Sequence, residues 1–421
     1  MTKQEIDEGK EYIGYEKALA LVLSSTDYFK VDSLPLTSCV GYVAAENVVA
    51  LVDSPTSDVS LKDGFAVKIC GIAGASPRHP VRLRIIGSGF AGSGFEGVVS
   101  GGQAVRICAG SPVPAGAEAI ISEEFCEEIA SEVYISAATG TGMNIFQAGE
   151  DVKAGSVILE KGKALLPARL GLMAAAGINS LKVYRKPKVQ LIAIGDEVIA
   201  PGQNLKEGQL YASNLVSIGA WLSFFGIPYQ TKIAADNKED IQHRLLELLP
   251  EVDAIITSGG AWGSERDLVV GVLDSLGWNK LFHRVRMGPG KGIAFGTWQD
   301  KPIFCLPGGP PSNEMAFLQL ALPGILHLSG QTGSPLFTVS ARLTQDLPGR
   351  HKSWTEFKKA SLSRGEDGNY SVALCFDESR LKSMADATCL ICKPEGVEIL
   401  QRGQVVTAQV MAPTLATTAD I

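Results

Sequence analysis

The chain has 421 residues, and its 45 acidic side chains against 38 Lys and Arg give a formal net charge of −7. Hydrophobic residues at 45% and charged residues at 20% exclude a disordered chain, and the length indicates roughly two to four domains. The excess of acid argues against a general nucleic-acid binder. Residues 1–10 lack the apolar core of a signal peptide, and no apolar run reaches the ~20 residues of a membrane span, so we expect a cytoplasmic protein.

The first half of the chain combines helical spacing with β-like runs. Apolar residues at helical spacing predict a helix over 11–24 and another within 163–177. Between them, at about 48–137, short apolar runs separated by Gly and Pro indicate a β-rich domain. Residues 87–92 match the GxGxxG pattern of dinucleotide binding. A β-like run follows where that fingerprint requires a helix, so we reject an NAD site.

The second half begins with buried strands that alternate with helices, which is typical of a doubly wound parallel α/β sheet. The predicted strands are Val189–Ile194, 252–257 and 302–306, and the predicted helices are 214–225, 266–276 and one beginning near Ser312. From about Ser334 the pattern is β again. There, Cys389 and Cys392 have CxxC spacing inside an apparent strand, so we expect buried structural cysteines rather than a redox pair or a zinc site.

The three predicted strands end in unusual loops, at 195–197, 258–260 and 307–312. Ligands of open α/β sheets bind at this edge, and glycine-rich turns that lead into helices point backbone N–H groups at phosphates. Glu197 adds a carboxylate that suits Mg²⁺ beside phosphates, and Lys291 adds a cation on a glycine-rich turn. Together these features predict a site for a phosphate-bearing ligand.

Asp63 stands out in the segment 60–67. Its pattern is that of an Asp-Gly turn between two strands. The alternative is a carboxylate held at a loop tip for use at a site elsewhere, and the pattern leaves both interpretations open.

Eight motifs in colinear order resemble those of the molybdenum insertases, or molybdopterin molybdenumtransferases, which include bacterial MoeA and the E domain of gephyrin. Residues 63–67 are similar to DGYAV, 106–114 to RI-x-TGAPVP, 149–152 to GEDI, and 195–197 with 201–203 to GDE…PG. The remaining matches are 208–214 to GQIYDTN, 258–260 to SGG, 289–291 to PGK and 306–308 to LPG.

The resemblance implies a four-domain homodimer whose sites lie at the subunit interface. It implies a linker domain in two segments, 1–47 and 140–186, around a β-rich domain at 48–139, followed by a doubly wound α/β molybdopterin-binding domain at 187–330 and a β-barrel-like domain at 331–411. The implied reaction needs Mg²⁺ and converts adenylylated molybdopterin and molybdate into molybdenum cofactor and AMP. A contact with the molybdopterin adenylyltransferase is also implied.

The resemblance further implies a role for individual residues. The implied catalytic residues are Asp63, Glu197, Asp267 and Lys291, with Glu197 and Asp267 also holding the metal. The implied ligand-binding residues are Ser258, Gly259, Gly260, Gly308, Gly309, Ser312 and Asp236.

Several positions around this site depart from the family motifs. Trp262 replaces a serine, Gly288 a lysine, Gly309 an asparagine and Lys359 an arginine. A lost lysine removes a charge-assisted contact of ~1.5–3 kcal/mol, and a lysine lacks the bidentate fork of arginine. These departures favour an alternative, a paralogue that binds molybdopterin or the cofactor as a carrier or sensor. The retained carboxylates favour the enzyme, which is the function we expect.

Overall fold

The computed structural model describes residues 12–27, 30–260, 268–375 and 379–411. The chain forms two compact units, one of residues 33–183 and the other of residues 1–32 with 184–421. Within the described residues, no helix combines the length and the apolar character needed to cross a bilayer.

The unit of residues 33–183 is built around a six-stranded sheet. In spatial order its strands are Ala119–Ser122, Gly64–Val67, Gln103–Ile107, Val81–Gly89, Glu132–Ile135 and Cys126–Ile129. Their inward side chains, such as Phe65 and Val133, form a buried core. The element after Val81–Gly89 is the strand Gln103–Ile107, so the β-like run predicted after the GxGxxG pattern is confirmed.

Smaller elements complete this unit. The helix predicted within 163–177 spans Pro167–Ala175, with Pro167 at its first position, where the missing N–H costs no hydrogen bond. The short strands are Val48–Val49 paired with Val157–Leu159, and Val59–Ser60 paired with Ile145–Phe146. Strands Val31–Pro35 and Ser180–Tyr184 lie at the borders of the unit.

The α/β domain of the second unit contains a six-stranded sheet. Its strands are β1 (Val189–Ile194), β2 (Tyr229–Ala234), β3 (Ala254–Ser258), β4 (Asn279–His283), β5 (Ala294–Trp298) and β6 (Lys301–Leu306). The order is β2-β1-β3-β6-β5-β4, in which β2, β1, β3 and β6 run parallel. Every residue of β1 is buried, as expected of a central strand that is covered on both faces.

The parallel sheet was predicted, and an antiparallel extension adds to it. β5 and β6 form a hairpin whose turn residues, Gln299 and Asp300, both have left-handed backbone angles. Turns of this kind match the natural twist of paired strands. The sequence interpretation missed β2, β4 and β5, because none of them is a continuous apolar run.

Four helices of this domain matter for the site: α1 (Ser213–Phe224), α2 (Lys238–Leu248), α3 (Leu268–Ser275) and α4 (Pro310–Ala316). α1 buries Leu215, Ile218 and Leu222 on one face, at the spacing that predicted a helix over 214–225. α4 follows β6 directly and continues through a π-helical turn, Phe317–Ala321, into Leu322–His327. The start of the helix predicted at 266–276 lies outside the described residues.

The C-terminal β-domain is a closed barrel. Strands Thr355–Arg364, Tyr370–Leu374, Phe337–Leu343, Val405–Val410 and Cys389–Lys393 pair in that order, and the last pairs with the first. Val285–Gly288 of the α/β domain joins this sheet, with Met287 opposite Thr355 and Gly288 opposite Glu356. This pairing places the turn that carries Lys291 beside the barrel. The unit also contains Ile13–Gly14, helices Tyr15–Ser24 and Lys382–Ala385, and the pair Leu347–Pro348 with Ile399–Leu400.

The CxxC cysteines lie in a barrel strand. Cys389 is buried, and its thiol donates a weak hydrogen bond to the carbonyl of Ala360. Burial raises the pKa of Cys389 to about 12 and that of Cys392 to about 11, so both remain neutral thiols at ordinary pH. The prediction of buried cysteines is confirmed for Cys389, whereas Cys392 is half-buried.

Candidate functional site

A cavity of about 630 Å³ lies at the carboxyl edge of the parallel strands. We call it the loop cavity, and its lining includes Gly195, Glu197, Asn214, Asp236, Ser258, Gly259, Gly260, Gly308 and Pro310. The loops after β1, β2, β3 and β6 all contribute, because the carboxyl ends of parallel strands meet at one edge of a sheet.

Two glycines give this cavity its shape. A Cβ on Gly195 would lie 2.7 Å from a carboxylate oxygen of Glu197, so only glycine lets that carboxylate fold back over the backbone. Gly259 has a φ of +99°, and a Cβ there would lie 2.7 Å from the carbonyl oxygen of Ile194. A side chain at Gly259 would meet backbone and force the loop out of place, whereas one at Gly195 would displace the Glu197 carboxylate.

Two asparagines tie the glycine loops together. The Asn214 side-chain amide donates to the Ser258 hydroxyl at 3.0 Å and to the Gly308 carbonyl at 2.8 Å. The Asn313 amide, from α4, donates to the same hydroxyl at 3.0 Å and to the Pro307 carbonyl at 2.8 Å. The loops after β3 and β6 are therefore cross-linked from both sides, which pre-organises their backbone.

The loop after β2 is held by carboxylates. Asp196 accepts the N–H of Asp236 at 3.0 Å, and Asp240 accepts the N–H of Ala235 at 2.8 Å. Asn237 caps α2 by accepting the N–H of Asp240 at 2.8 Å. The backbone at Asp236 is therefore fixed, and Asp236 lines the loop cavity together with Glu197.

A second cavity, of about 500 Å³, lies between the α/β domain and the barrel. We call it the lysine cavity, and its lining includes Lys291, Ser312, Arg350, His351, Trp354, Glu356, Lys358, Lys359 and Cys375. The ammonium of Lys291 lies 5.6 Å from the centre of the Trp354 ring, at cation–π distance. The lining therefore combines four cationic side chains, those of Lys291, Arg350, Lys358 and Lys359, with the one acidic residue Glu356.

Burial tunes the charges beside the lysine cavity. Burial lowers the pKa of Lys359, and the nearby carboxylate of Glu314 partly offsets that effect. Burial raises the pKa of Glu314, against a hydrogen bond from Trp221 and the charge of Lys359. Burial would also raise the pKa of Glu356, but hydrogen bonds from the His351 N–H and the Lys358 ammonium hold it below its usual value. Glu356 therefore stays ionised, whereas Lys359 loses its charge more readily than an ordinary lysine.

The predicted site residues divide between the two cavities. The loop cavity is lined by Glu197, Asp236, Ser258, Gly259, Gly260 and Gly308, whereas Lys291 and Ser312 line the lysine cavity. Gly309 precedes α4, the helix that contributes Pro310 to the first cavity and Ser312 to the second. Asp267 and Trp262 lie outside the described residues. The roles of all these residues remain predictions.

Asp63 belongs to the unit of residues 33–183 and accepts the N–H of Ala109 at 2.9 Å. The strands on either side of it, Val59–Ser60 and Gly64–Val67, pair with other strands and not with each other. Asp63 therefore lies in a bend between two strands, as the first interpretation predicted, although these strands do not form a hairpin with each other. The use of its carboxylate at a site elsewhere remains a prediction.

Sequence reasoning missed Asn313, Arg350, Trp354 and Lys358 as residues of the site. Asn313 could have been noticed as a buried amide directly after the turn that had lost the family asparagine. The other three reach the lysine cavity only through the pairing of residues 285–288 with the barrel, which local sequence patterns do not encode.

The loop cavity suits a hydrated divalent cation. Mg²⁺ in such sites takes one or two carboxylates and completes its shell with substrate phosphates and water. Glu197 and Asp236 both line the cavity, so the donor set fits. Across the described ranges, no three His, Cys, Asp or Glu side chains gather into a full metal cage.

A doubly wound domain with glycine loops and carboxylates at its carboxyl edge defines a protein that binds a phosphate-bearing small molecule. Comparison with known proteins is more specific. Residues 13–177 match the family model of the MoeA N-terminal region (domains I and II), and residues 190–327 match that of the probable molybdopterin binding domain.

Relatives with assigned names agree with these matches. The molybdopterin molybdenumtransferase of Bacillus subtilis is 32% identical over 370 residues, covering 86% of this chain and 85% of the relative. That of Haemophilus influenzae is 31% identical over 304 residues, covering 72% and 74%. Two solved structures of the molybdopterin biosynthesis MoeA protein of Pyrococcus horikoshii give TM-scores of 0.80 and 0.81 at 30% and 27% identity, over 95% of this chain and 99% and 100% of theirs. The chain belongs to the molybdopterin molybdenumtransferase family, which confirms the resemblance.

Proposed function

We propose that this protein inserts molybdate into adenylylated molybdopterin and releases AMP, as a transferase of molybdenum cofactor biosynthesis. The observation that carries the proposal is the adjacency of two different cavities in a chain of this family. One is lined by carboxylates and glycine loops and the other by cationic side chains, and α4 contributes to both. These are the two chemistries that a pterin nucleotide and a metal oxyanion require.

The loop cavity is the proposed site of the pterin nucleotide. The backbone N–H groups of Gly260, Gly308 and Gly309 bind phosphate oxygens, while the Gly259 N–H donates to the Leu306 carbonyl and, with Asn214 and Asn313, keeps the loops in place. Glu197 holds Mg²⁺, with Asp267 as the predicted second ligand and Asp236 facing the same cavity. When bound, Mg²⁺ supplies charge neutralisation on the phosphoanhydride.

The lysine cavity is the proposed site of molybdate. Lys291, Lys359 and Arg350 supply positive charge, and Arg350 offers the guanidinium that position 359 lacks. Lys291, on the turn of residues 288–291, also stabilises the negative charge that develops as AMP leaves. Ser312 adds a hydroxyl from the first turn of α4.

The remaining proposals rest on the family resemblance. We propose a cytoplasmic homodimer in which Asp63 contributes to a site at the subunit interface, and a contact with the molybdopterin adenylyltransferase that supplies the nucleotide. Sedimentation equilibrium tests the dimer, because the mass must be that of two chains.

An insertion assay tests the function. Purified protein is mixed with adenylylated molybdopterin, Mg²⁺ and molybdate, and AMP release is followed together with reconstitution of a cofactor-free molybdoenzyme. We expect turnover in the wild type and its loss in Asp63→Ala and Asp267→Ala. Tight binding of the nucleotide without any turnover would overturn the proposal and leave a binding protein.

A further inference from the structure

One lysine of the barrel is buried completely. The side chain of Lys393, in the strand Cys389–Lys393, has no exposed surface. An ammonium group is rarely placed in a protein interior, because removing its hydration is costly unless other groups replace the water. Lys393 was not singled out by its sequence pattern, since it ends an otherwise apolar strand.

Backbone carbonyl groups replace water around Lys393, and two of the four belong to the segment that borders the lysine cavity. Its ammonium donates to the carbonyl oxygens of Val397 at 2.8 Å, Trp354 at 3.1 Å, His351 at 3.2 Å and Pro394 at 3.5 Å. His351 and Trp354 both line the lysine cavity. The buried cation therefore fixes the backbone that presents these two side chains.

Glu356 completes the same cluster from the other side. One of its carboxylate oxygens lies 3.6 Å from the Lys393 ammonium and accepts the N–H groups of Arg350 at 2.7 Å and His351 at 3.1 Å. Its second oxygen lies 3.0 Å from the ammonium of Lys358. The Lys393–Glu356 pair thus connects the interior of the barrel to Arg350 and to Lys358, two cationic residues that line the lysine cavity.

Gly349 shows that the chain makes room for this arrangement. A Cβ at Gly349 would lie 2.5 Å from Cε and 2.8 Å from Cδ of Lys393. Any other residue at 349 would press on the buried lysine, so the two positions are sterically coupled.

We propose that Lys393, together with Glu356, is the positioning residue of the lysine cavity: it holds segment 350–354 so that Arg350, His351 and Trp354 face the bound oxyanion. The proposal rests on the proposed function of that cavity. Lys393 itself makes no contact with the ligand, and its effect reaches the anion through the backbone of the segment.

The test compares binding of molybdate and of adenylylated molybdopterin in Lys393→Met, which keeps the chain length and removes the charge. We expect molybdate to bind about tenfold more weakly, the scale of a slightly misplaced site, with nucleotide binding unchanged. In the insertion assay, KM for molybdate should rise with kcat preserved. Leu343→Ala, a buried core change in the same barrel, is the matched control and should alter neither ligand.

Gly349→Ala provides a second variant in case Lys393→Met does not fold, because it displaces the lysine without removing a charge. Wild-type molybdate affinity in both variants, or losses no larger than those of Leu343→Ala, would overturn the inference. Lys291→Ala separates this failure from that of the proposed function. If the wild type and Lys291→Ala bind molybdate with the same affinity, the proposed function of the lysine cavity is wrong, whatever the role of Lys393.

Discussion

The loop cavity and the lysine cavity are neighbours, yet they are built in different ways. The loop cavity is made by backbone: glycine turns at strand ends, cross-linked by the Asn214 and Asn313 amides. The lysine cavity is made by side chains from two domains, brought together by the pairing of residues 285–288 with the barrel. In a site made by backbone, the side chains that matter are those that hold the loops or a metal, whereas in a site made by side chains each lining residue contributes to affinity directly. We therefore expect the departure at Gly309, in a backbone loop, to matter less for ligand affinity than the departure at Lys359, whose side chain lines the lysine cavity.

The largest effect is expected at the loop cavity. Glu197→Ala removes the proposed Mg²⁺ ligand and should lower AMP release by at least about 100-fold, the scale of losing one electrostatic stabiliser in a catalytic site. Glu239→Gln, an exposed change in the first turn of α2, is the control. Normal turnover in Glu197→Ala at every Mg²⁺ concentration would remove the metal role from this residue.

Lys291→Ala tests whether the two cavities bind different ligands. It removes a charge-assisted contact, so molybdate should bind about 10- to 100-fold more weakly, while the pterin nucleotide binds as in the wild type. Calorimetric titration of each ligand measures both, with the exposed Lys238→Ala as the charge-matched control. Equal losses for the two ligands would mean that the cavities act as one site.

Asn313→Leu tests the backbone character of the loop cavity. The substitution leaves the buried Ser258 hydroxyl and Pro307 carbonyl each short of a donor, at a cost of about 1–3 kcal/mol in unfolding free energy. Nucleotide affinity should fall more than molybdate affinity, because the loosened loops line the loop cavity. Chemical denaturation and the two titrations provide the comparison. A selective loss of molybdate would contradict the assignment.

The smallest effect concerns pH at the lysine cavity. The pKa of Lys359 is lowered mainly by burial, so its charge is present below that lowered pKa and is lost as the pH rises through it. Molybdate affinity should therefore weaken towards alkaline pH. Lys359→Arg keeps its charge there and restores a bidentate fork, so it should flatten the pH profile and strengthen binding a few-fold. An identical profile in both proteins would show that Lys359 does not contact the anion.

The sequence predicted much of the loop cavity and little of the lysine cavity. Local sequence was enough to predict the strand Val189–Ile194 and the loops at 195–197, 258–260 and 307–312, because a buried strand or a glycine turn depends on consecutive residues. Arg350, Trp354 and Lys393 were not, since their positions depend on strand pairing between distant segments. Asn313 lies between these cases: its residue type was visible, but its two acceptors come from different loops.

Asn313 also shows what a comparison of motifs leaves out. The motif comparison noted Gly309 in place of an asparagine, but it did not note Asn313, which donates to the Ser258 hydroxyl and to the Pro307 carbonyl from the first turns of α4. These hydrogen bonds depend on the fold, because they join loops that are far apart in the sequence.

Molybdate and the pterin nucleotide are proposed to occupy separate cavities. The most direct test is anomalous diffraction at the molybdenum absorption edge from crystals of the protein soaked in molybdate. We predict a molybdenum peak in the lysine cavity, within hydrogen-bond reach of the Lys291 ammonium, that is absent from Lys291→Ala crystals. A peak confined to the loop cavity, or one that persists unchanged without Lys291, would contradict it.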